Sequence, residues 1–179
     1  MATFVAHSAP PRGSHSVAAH VIDRIVALCG IVPYGLVALV LRFVLARDFF
    51  LAGQSKVLGP IIPLSFQSFD YSLILPAQLR DDVLSAFATQ FAAVPVPSAA
   101  IAYGFTYAEF LLPICLVIGF GTRIAALLLL VMTVVLQVYV APEALWSMHV
   151  YWAAMLLALM TCGPGAISLD AIIRYFYQA

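Results

Sequence analysis

Residues 98–118, SAAIAYGFTYAEFLLPICLVI, decide the class of fold. This stretch of 21 residues contains a single charged side chain, Glu109. A helix that crosses the hydrocarbon core of a bilayer needs about 20 mostly apolar residues. The stretch therefore predicts a membrane-spanning helix. It also makes Glu109 a residue of interest, because a charge inside the membrane is costly.

The whole chain has the composition of a membrane protein. Of its 179 residues, 64% are hydrophobic and only 9% are charged, and the mean hydropathy is +1.06. An ordinary globular domain is about half apolar and about a quarter charged. The eight basic and eight acidic residues balance, so the composition offers no basic surface for nucleic acid. We expect the lipid bilayer to be the main partner of the chain.

Three further stretches have a similar length and apolar character. Spanning helices are predicted at residues 33–56, 98–119, 123–141 and 146–162. Short connections join the last three, which makes them antiparallel neighbours. In lipid the backbone must satisfy its hydrogen bonds within each helix. The predicted fold class is all-α: a single integral membrane domain over residues 1–179, built as a four-helix bundle with short interfacial amphipathic helices.

Three segments outside the spans are predicted to lie at the membrane surface. Residues 1–30 are expected to form an N-terminal tail and an interfacial helix, and residues 163–179 a C-terminal interfacial helix. Residues 57–97 form an outer loop rich in proline and aromatic side chains, with an amphipathic helix expected over residues 76–91. Ser168 is the expected N-cap of the last helix.

Basic residues near the span ends predict the orientation. An N-terminus on the inside places four arginines in the cytoplasm and leaves only Lys56 and Arg80 on the other side, beside four acidic residues. We therefore expect a multi-pass protein of a bacterial-type cytoplasmic (inner) membrane, with both termini in the cytoplasm.

Arg42 and Glu109 lie near the middle of the first and second predicted spans. Opposite charges at one depth on neighbouring helices relieve each other. We predict an intramembrane ion pair between them. Two roles are open for this pair. One is structural and fixes the register of the helices, and the other is a polar pocket that handles protons or a polar headgroup.

The first predicted span has one face that carries Arg42, Ala46, Phe49, Gly53 and Lys56. Ala46 and Gly53 are small, and small residues let a neighbouring helix approach closely. A candidate polar pocket is predicted in the outer half of the fold, under the outer loop. Its expected members are Arg47, Asp48, Gln54, Lys56, Gln137 and His149.

No metal site and no intrinsic cofactor are predicted. The three cysteines are far apart, and no Cys-x-x-Cys pair or Cys/His ligand spacing is present. The spans contain no haem-ligating histidine pair, and the sequence has no flavin or nucleotide fingerprint. His149 by itself is more typical of the headgroup level than of a metal ligand. The catalytic residues are unknown, and whether the chain catalyses a reaction is left open.

A series of short motifs resembles the DoxX family of small membrane proteins. The motifs are FLAG at residues 50–53 with Lys56, Glu109 before Leu111-Leu112, GFGTR at residues 119–123, His149, and GPGAISLD at residues 163–170. Within them, Gly121, Thr122 and Arg123 form the turn motif of the family. The resemblance covers about residues 41–170, and the loop at residues 57–97 is longer than in the shortest members.

The resemblance implies a four-helix membrane fold and an association with redox chemistry. Some relatives are subunits of thiosulfate:quinone oxidoreductases or partners in thiol-stress complexes, and others accompany copper-responsive peptides. The family has no agreed catalytic constellation. We expect an accessory subunit or assembly partner of a redox or metal-stress system, not catalytic alone, with other membrane or redox subunits as partners. Two alternatives stay open: a quinone-interacting subunit of a membrane oxidoreductase, with a bound quinone or lipid, and a small-molecule transporter that acts as an oligomer.

Overall fold

Helices make up most of the computed structural model, which describes residues 17–66, 69–92 and 94–178. The helices are α1 (Val17–Cys29), α2 (Tyr34–Ser55), α3 (Asp81–Gln90), α4 (Ser98–Ile118), α5 (Thr122–Tyr139), α6 (Val150–Cys162) and α7 (Leu169–Gln178). A 3₁₀ turn at Pro142–Ala144 and a π-helical turn at Leu145–His149 lead directly into α6. The first 16 residues of the predicted N-terminal tail lie outside the described residues.

The chain forms two compact units, and the first ends at Pro33. Among the described elements this unit contains only α1. The N–H of Gly30 donates to the Val26 carbonyl at 2.9 Å, which closes the last turn of the helix. Everything from Tyr34 onward belongs to the second unit, which contains all the predicted site residues.

Three of the described helices are long and apolar enough to cross a membrane. These are α4, α5 and the continuous helical segment Pro142–Cys162. The helix α2 has 22 residues but carries Arg42, Arg47 and Asp48, so its composition is less apolar. The structure therefore supports a membrane protein with several apolar helices, and the crossing of α2 is treated as a proposal below.

The helices α2, α4, α5 and α6 pack against one another. Both α2 and α5 contact α4 and α6. The core between them contains large aliphatic and aromatic side chains, namely Leu45, Phe49, Leu116, Leu129, Leu156 and Leu159. Small buried residues stand between these larger ones, namely Ala38, Ala46, Gly53, Ala125 and Ala126. Small residues bring helix backbones close together, and close packing is what holds helices together in lipid.

The outer loop contains more structure than the sequence suggested. Strands β1 (Val57–Leu58) and β4 (Gln78–Leu79) pair antiparallel, and between them β2 (Ile61–Phe66) and β3 (Phe69–Ile74) form a hairpin. The expected helix over residues 76–91 is therefore too long, since Gln78 and Leu79 pair with β1. The helix α3 begins only at Asp81.

The helix α3 packs on α4 through aromatic side chains. Leu79, Phe87 and Phe91 are buried with Ala102 of α4. The rings of Phe87 and Phe91 stack with centroids 5.4 Å apart. On the exposed side, the Arg80 guanidinium hydrogen-bonds the Asp82 carboxylate and lowers the pKa of Asp82 below its ordinary value. The loop is thus attached to the helices through an apolar contact.

Candidate functional site

A buried ion pair joins the C-terminal end of α2 to the middle of α4. Lys56 Nζ lies 2.5 Å from Glu109 Oε1 and 2.6 Å from Oε2. The side chain of Glu109 is 1% exposed, and that of Lys56 is 20% exposed. Because both carboxylate oxygens face one ammonium group, the charges neutralise each other at close range. Lys56 therefore supplies the counter-charge that a buried glutamate requires.

The absence of a side chain at Gly53 allows this ion pair to form. A Cβ at Gly53 would lie 3.1 Å from Glu109 Cβ and 3.3 Å from the ring of Phe110. The two helices therefore touch through the backbone of α2 at this level. The face of α2 predicted from the sequence is the buried one, since Arg42, Ala46 and Phe49 are also buried on it.

The predicted ion pair between Arg42 and Glu109 is wrong. Arg42 is fully buried, and its Nη2 donates to the Ile167 carbonyl while its Nε donates to the Ala38 carbonyl at 3.4 Å. The physical reason is that Arg42 and Glu109 lie at different depths along the packed helices. Arg42 Nη1 lies against Gly119 at the end of α4, whereas Glu109 lies beside Gly53. Eleven residues of helix separate Arg42 from Gly53, which corresponds to about 16 Å along the axis.

The segment that follows α6 packs against the turn between α4 and α5. We call residues 163–170 the clasp. The Asp170 carboxylate accepts the N–H of Gly121 at 2.7 Å and the N–H of Thr122 at 3.0 Å. The N–H of Asp170 in turn donates to the Gly119 carbonyl at 2.9 Å. The first N–H groups of a helix have no partner within the helix, and the helix dipole favours an anion there. Asp170 therefore caps α5 from a distant part of the chain.

Glycines allow the backbone paths of the turn and the clasp. Gly119 and Gly121 have φ angles of 75° and 56°, in the left-handed region that favours glycine. A Cβ at Gly163 would lie 3.2 Å from Arg123 Nε, so the guanidinium packs on the glycine backbone. A Cβ at Gly165 would lie 2.7 Å from Gly35 Cα. The clasp thus lies directly against α2, and the turn motif of Gly121, Thr122 and Arg123 is part of this junction.

Two hydroxyl groups complete the clasp. The Tyr34 hydroxyl donates to the Gly163 carbonyl at 2.8 Å. The Ser168 hydroxyl donates to the Gly165 carbonyl at 2.9 Å and accepts the N–H of Ala171 at 3.1 Å. Ser168 therefore caps α7, as the sequence predicted. The role of Tyr34 was missed, because a hydroxyl at a helix start carries no signal for a partner 129 residues away.

His149 belongs to a second polar cluster, at the start of α6. Its Nδ1 lies 2.7 Å from Gln137 Oε1, and Gln137 Nε2 donates to the Pro142 carbonyl at 2.7 Å. Because the amide nitrogen of Gln137 donates to Pro142, its amide oxygen faces His149, and an amide oxygen can only accept a hydrogen bond. His149 Nδ1 must then carry the proton. His149 is buried and holds the π-helical turn against the end of α5.

The remaining members of the predicted pocket have different surroundings. Asp48 Oδ2 accepts the Trp152 indole N–H at 3.3 Å, and Asp48 Oδ1 lies 3.4 Å from Arg47 Nη1. Gln54 is buried. The structure thus places the predicted pocket residues in separate contacts, with Lys56 on Glu109 and Gln137 on His149. These contacts do not form the predicted polar pocket, in which free polar side chains would face one common space.

Two apolar grooves run along the outside of the helices. One lies between α4 and α5, has a volume of about 840 Å³ and is lined by residues such as Phe105, Leu111 and Val131. The other lies between α2 and α4, has a volume of about 490 Å³ and includes Arg47 in its lining. Arg47 is the one member of the predicted polar pocket that lines either groove.

Comparison with known proteins identifies the family. The family model DoxX matches residues 37–142, which is more than half of the chain. No curated protein and no solved structure gives a significant match. The matched range includes Lys56, Glu109 and the turn at Gly121, and it ends before His149 and the clasp. The resemblance inferred from the short motifs is confirmed. The chain is a membrane protein of the DoxX family.

Proposed function

We propose that this protein is a non-catalytic accessory subunit or assembly partner of a membrane redox or metal-stress system. One observation carries the proposal: the motif side chains hold the chain's own helices together. Glu109 binds Lys56, Asp170 binds the start of α5, and His149 binds Gln137. These contacts are those of a scaffold, in which polar groups determine how helices pack.

The geometry of Glu109 illustrates why a catalytic role is not favoured. A general acid or base must come within hydrogen-bond reach of the substrate. Both oxygens of Glu109 are taken by one ammonium group, and the side chain is almost completely buried. A substrate would have to separate a buried ion pair before it could meet this carboxylate.

The membrane arrangement forms part of the proposal. We propose that α2 crosses the bilayer as the fourth span, so that α2, α4, α5 and α6 form a four-helix membrane bundle. Burial of Arg42 and its bond to the Ile167 carbonyl support this, because they shield one of the three charges of α2 from lipid. Basic residues at the α4–α5 turn and in α7, namely Arg123 and Arg174, favour the cytoplasmic side for that end.

Reporter fusions test the arrangement. Reporters fused before residue 1 and inserted within residues 81–88 of α3 flank α2 and should report opposite sides of the membrane. A reporter fused after residue 179 should report the same, cytoplasmic, side as the N-terminal one. If the N-terminal reporter and the one in α3 report the same side, α2 does not cross the membrane.

Co-purification tests the accessory role. The tagged full chain, expressed at its native level and extracted in mild detergent, should bring a cofactor-bearing protein with it in constant proportion. The isolated chain should show no absorbance from a redox cofactor. A chain that purifies alone from native membranes would contradict the proposal.

A paired variant separates a scaffold from a catalyst within the same complex. In the double variant Lys56→Met with Glu109→Leu, both charges are replaced by apolar groups. If the pair is structural, the complex should keep its activity as long as the variant folds. Loss of activity with normal assembly would assign chemistry to the pair.

A quinone-interacting subunit is the second candidate. The groove between α4 and α5 supports it, because its volume of about 840 Å³ and its apolar lining suit the body of an isoprenoid quinone. Titration of the purified protein with a short-chain quinone tests this role. Saturable binding that a bulky substitution such as Val131→Trp removes would support it, and the absence of saturable binding would leave the accessory role alone.

A further inference from the structure

Arg47 lies on the outward face of α2. Its side chain is 66% exposed, and its exposed neighbours on that face, Phe43 and Val44, are apolar. If α2 crosses the bilayer as proposed, this guanidinium faces lipid. A charge in that position is costly unless it finds a partner of opposite charge or reaches the interface.

The chain itself satisfies only part of this guanidinium. Nη1 contacts Asp48 Oδ1 at 3.4 Å, which is a long hydrogen bond. The other two nitrogens of Arg47 make no hydrogen bond within the described residues. Asp48 is turned toward α6, where its second oxygen accepts the Trp152 N–H. Since a guanidinium has five N–H donors, most of the donor capacity of Arg47 is left for another molecule.

An apolar groove begins beside Arg47. It has a volume of about 490 Å³ and is lined by Phe43 and Phe50 of α2 and by Pro113, Ile114 and Val117 of α4. Arg47 is the one charged residue in this lining. The site therefore combines a cationic end with an apolar channel, which is the chemistry of an anionic amphiphile.

The depth of Arg47 favours a lipid headgroup. Arg42 lies level with Gly119 at the turn end of α4, and Arg47 is five residues further along α2, or about 7–8 Å deeper. Helical side chains lean toward the N-terminus of their helix, which for α2 is the turn end. A long arginine side chain can therefore extend toward the interface at the turn. The lipid phosphates of the leaflet at the α4–α5 turn lie on the side toward which this side chain extends.

We infer that the groove between α2 and α4 binds one anionic phospholipid from the leaflet at the α4–α5 turn. Arg47 holds the phosphate by charge-assisted hydrogen bonds, and an acyl chain lies along Phe50, Ile114 and Val117. The inference depends on the proposed crossing of α2 and is independent of the accessory role. It gives the protein a preference for anionic over zwitterionic lipid.

Native mass spectrometry of the purified full chain tests the site. The protein is titrated in neutral detergent with phosphatidylglycerol and, separately, with phosphatidylcholine of the same acyl chains. The wild type should retain phosphatidylglycerol preferentially. Arg47→Ala should weaken that binding about tenfold, which corresponds to about 1.4 kcal/mol, with little change for phosphatidylcholine. Arg80→Ala, which removes the exposed arginine just before α3, should have no effect.

A second variant tests the apolar part and keeps the charge. Val117→Phe places a ring in the groove and should also reduce phosphatidylglycerol binding. Leu127→Phe makes the same kind of change on the exposed face of α5, outside both grooves, and should bind as the wild type does. Equal retention of the two lipids by the wild type, or unchanged binding in both Arg47→Ala and Val117→Phe, would overturn the inference.

Other occupants give distinct results. If Arg47→Ala alters the oligomeric mass or loses a co-purified protein while lipid binding is unchanged, the groove is a protein contact and the lipid site is wrong. If Arg47→Ala removes saturable binding of a short-chain quinone and leaves phosphatidylglycerol bound, the groove takes a quinone and the lipid site is again wrong. A failed topology test with the reporter fusions would instead overturn the crossing of α2.

Discussion

Replacing Lys56 by Met should destabilise the protein strongly, because it leaves the Glu109 carboxylate buried without a counter-charge. In the wild type both carboxylate oxygens are within 2.6 Å of Nζ. Removing one partner of a buried pair costs about 3–5 kcal/mol. Lys56 is one-fifth exposed, so some water can reach the site, and we expect about 3 kcal/mol.

The reverse change should cost less. Glu109→Leu leaves the Lys56 ammonium without its carboxylate, but this group is partly exposed and can turn toward water, so we expect about 1–2 kcal/mol. The double change Lys56→Met with Glu109→Leu removes both charges and should lie within about 1 kcal/mol of the wild type. A double variant that costs clearly less than the sum of the two single variants is the signature of a direct contact.

Reversible unfolding in mixed micelles, followed by circular dichroism, measures these free energies. The exposed pair of Arg80 and Asp82 is a matched control, since its N–O distance is 2.9 Å and both side chains are in water. Arg80→Met should change the stability little, because water and salt screen an exposed ion pair. The reasoning is refuted if Lys56→Met is as mild as this control, or if the double variant is less stable than both single variants.

Other substitutions test the turn and the helix contact. Asp170→Ala removes the acceptor for two N–H groups at the start of α5 and should cost about 1–2 kcal/mol, with Asp170→Asn closer to the wild type; thermal melting of the two variants decides this. Gly53→Leu should separate α2 from α4, destabilise the protein by about 1–3 kcal/mol and weaken the ion pair of Glu109, whereas Gly104→Ala, at a position with open space, should be neutral or slightly stabilising. A tolerated Gly53→Leu would show that the helices do not touch there.

The helical segments are the part of the structure that sequence reasoning predicts well. An apolar run such as residues 98–118 has few alternatives, because lipid requires internal backbone hydrogen bonds. The observed bounds of α4 and α5 agree with the predicted ones to within two residues. The buried face of α2 also follows from helical spacing. Because these features depend on local sequence, they can be predicted from a single sequence.

The partners of Arg42 and Glu109 could not be predicted in the same way. The position of a residue within its own span predicts its depth relative to another helix only if the two helices are aligned end to end. In the structure α2 is displaced along α4, so that Gly53, near the end of α2, meets Glu109 near the middle of α4. The displacement depends on close contacts at glycines and on the clasp, which are long-range features.

The hairpin of β2 and β3 was missed although the sequence carries a signal for it. Residues 69–74, FDYSLI, combine β-favouring side chains with polar ones in the manner of a half-buried strand. Proline and aromatic residues in the same loop indicated an irregular segment. The pairing of Ile61 with Ile74 is a tertiary fact that local composition does not contain.

The clasp also has a consequence for biosynthesis. Arg42 is made early, but its acceptor, the Ile167 carbonyl, appears 125 residues later. At about 5–20 residues per second, translation leaves Arg42 without this acceptor for roughly 6–25 s. The start of α5, whose partner Asp170 follows 49 residues after Gly121, lacks its cap for roughly 2–10 s. During that interval the nascent helices can be held only by packing or by other proteins of the insertion machinery. The clasp therefore stabilises α2 through residues that are synthesised long after α2 itself.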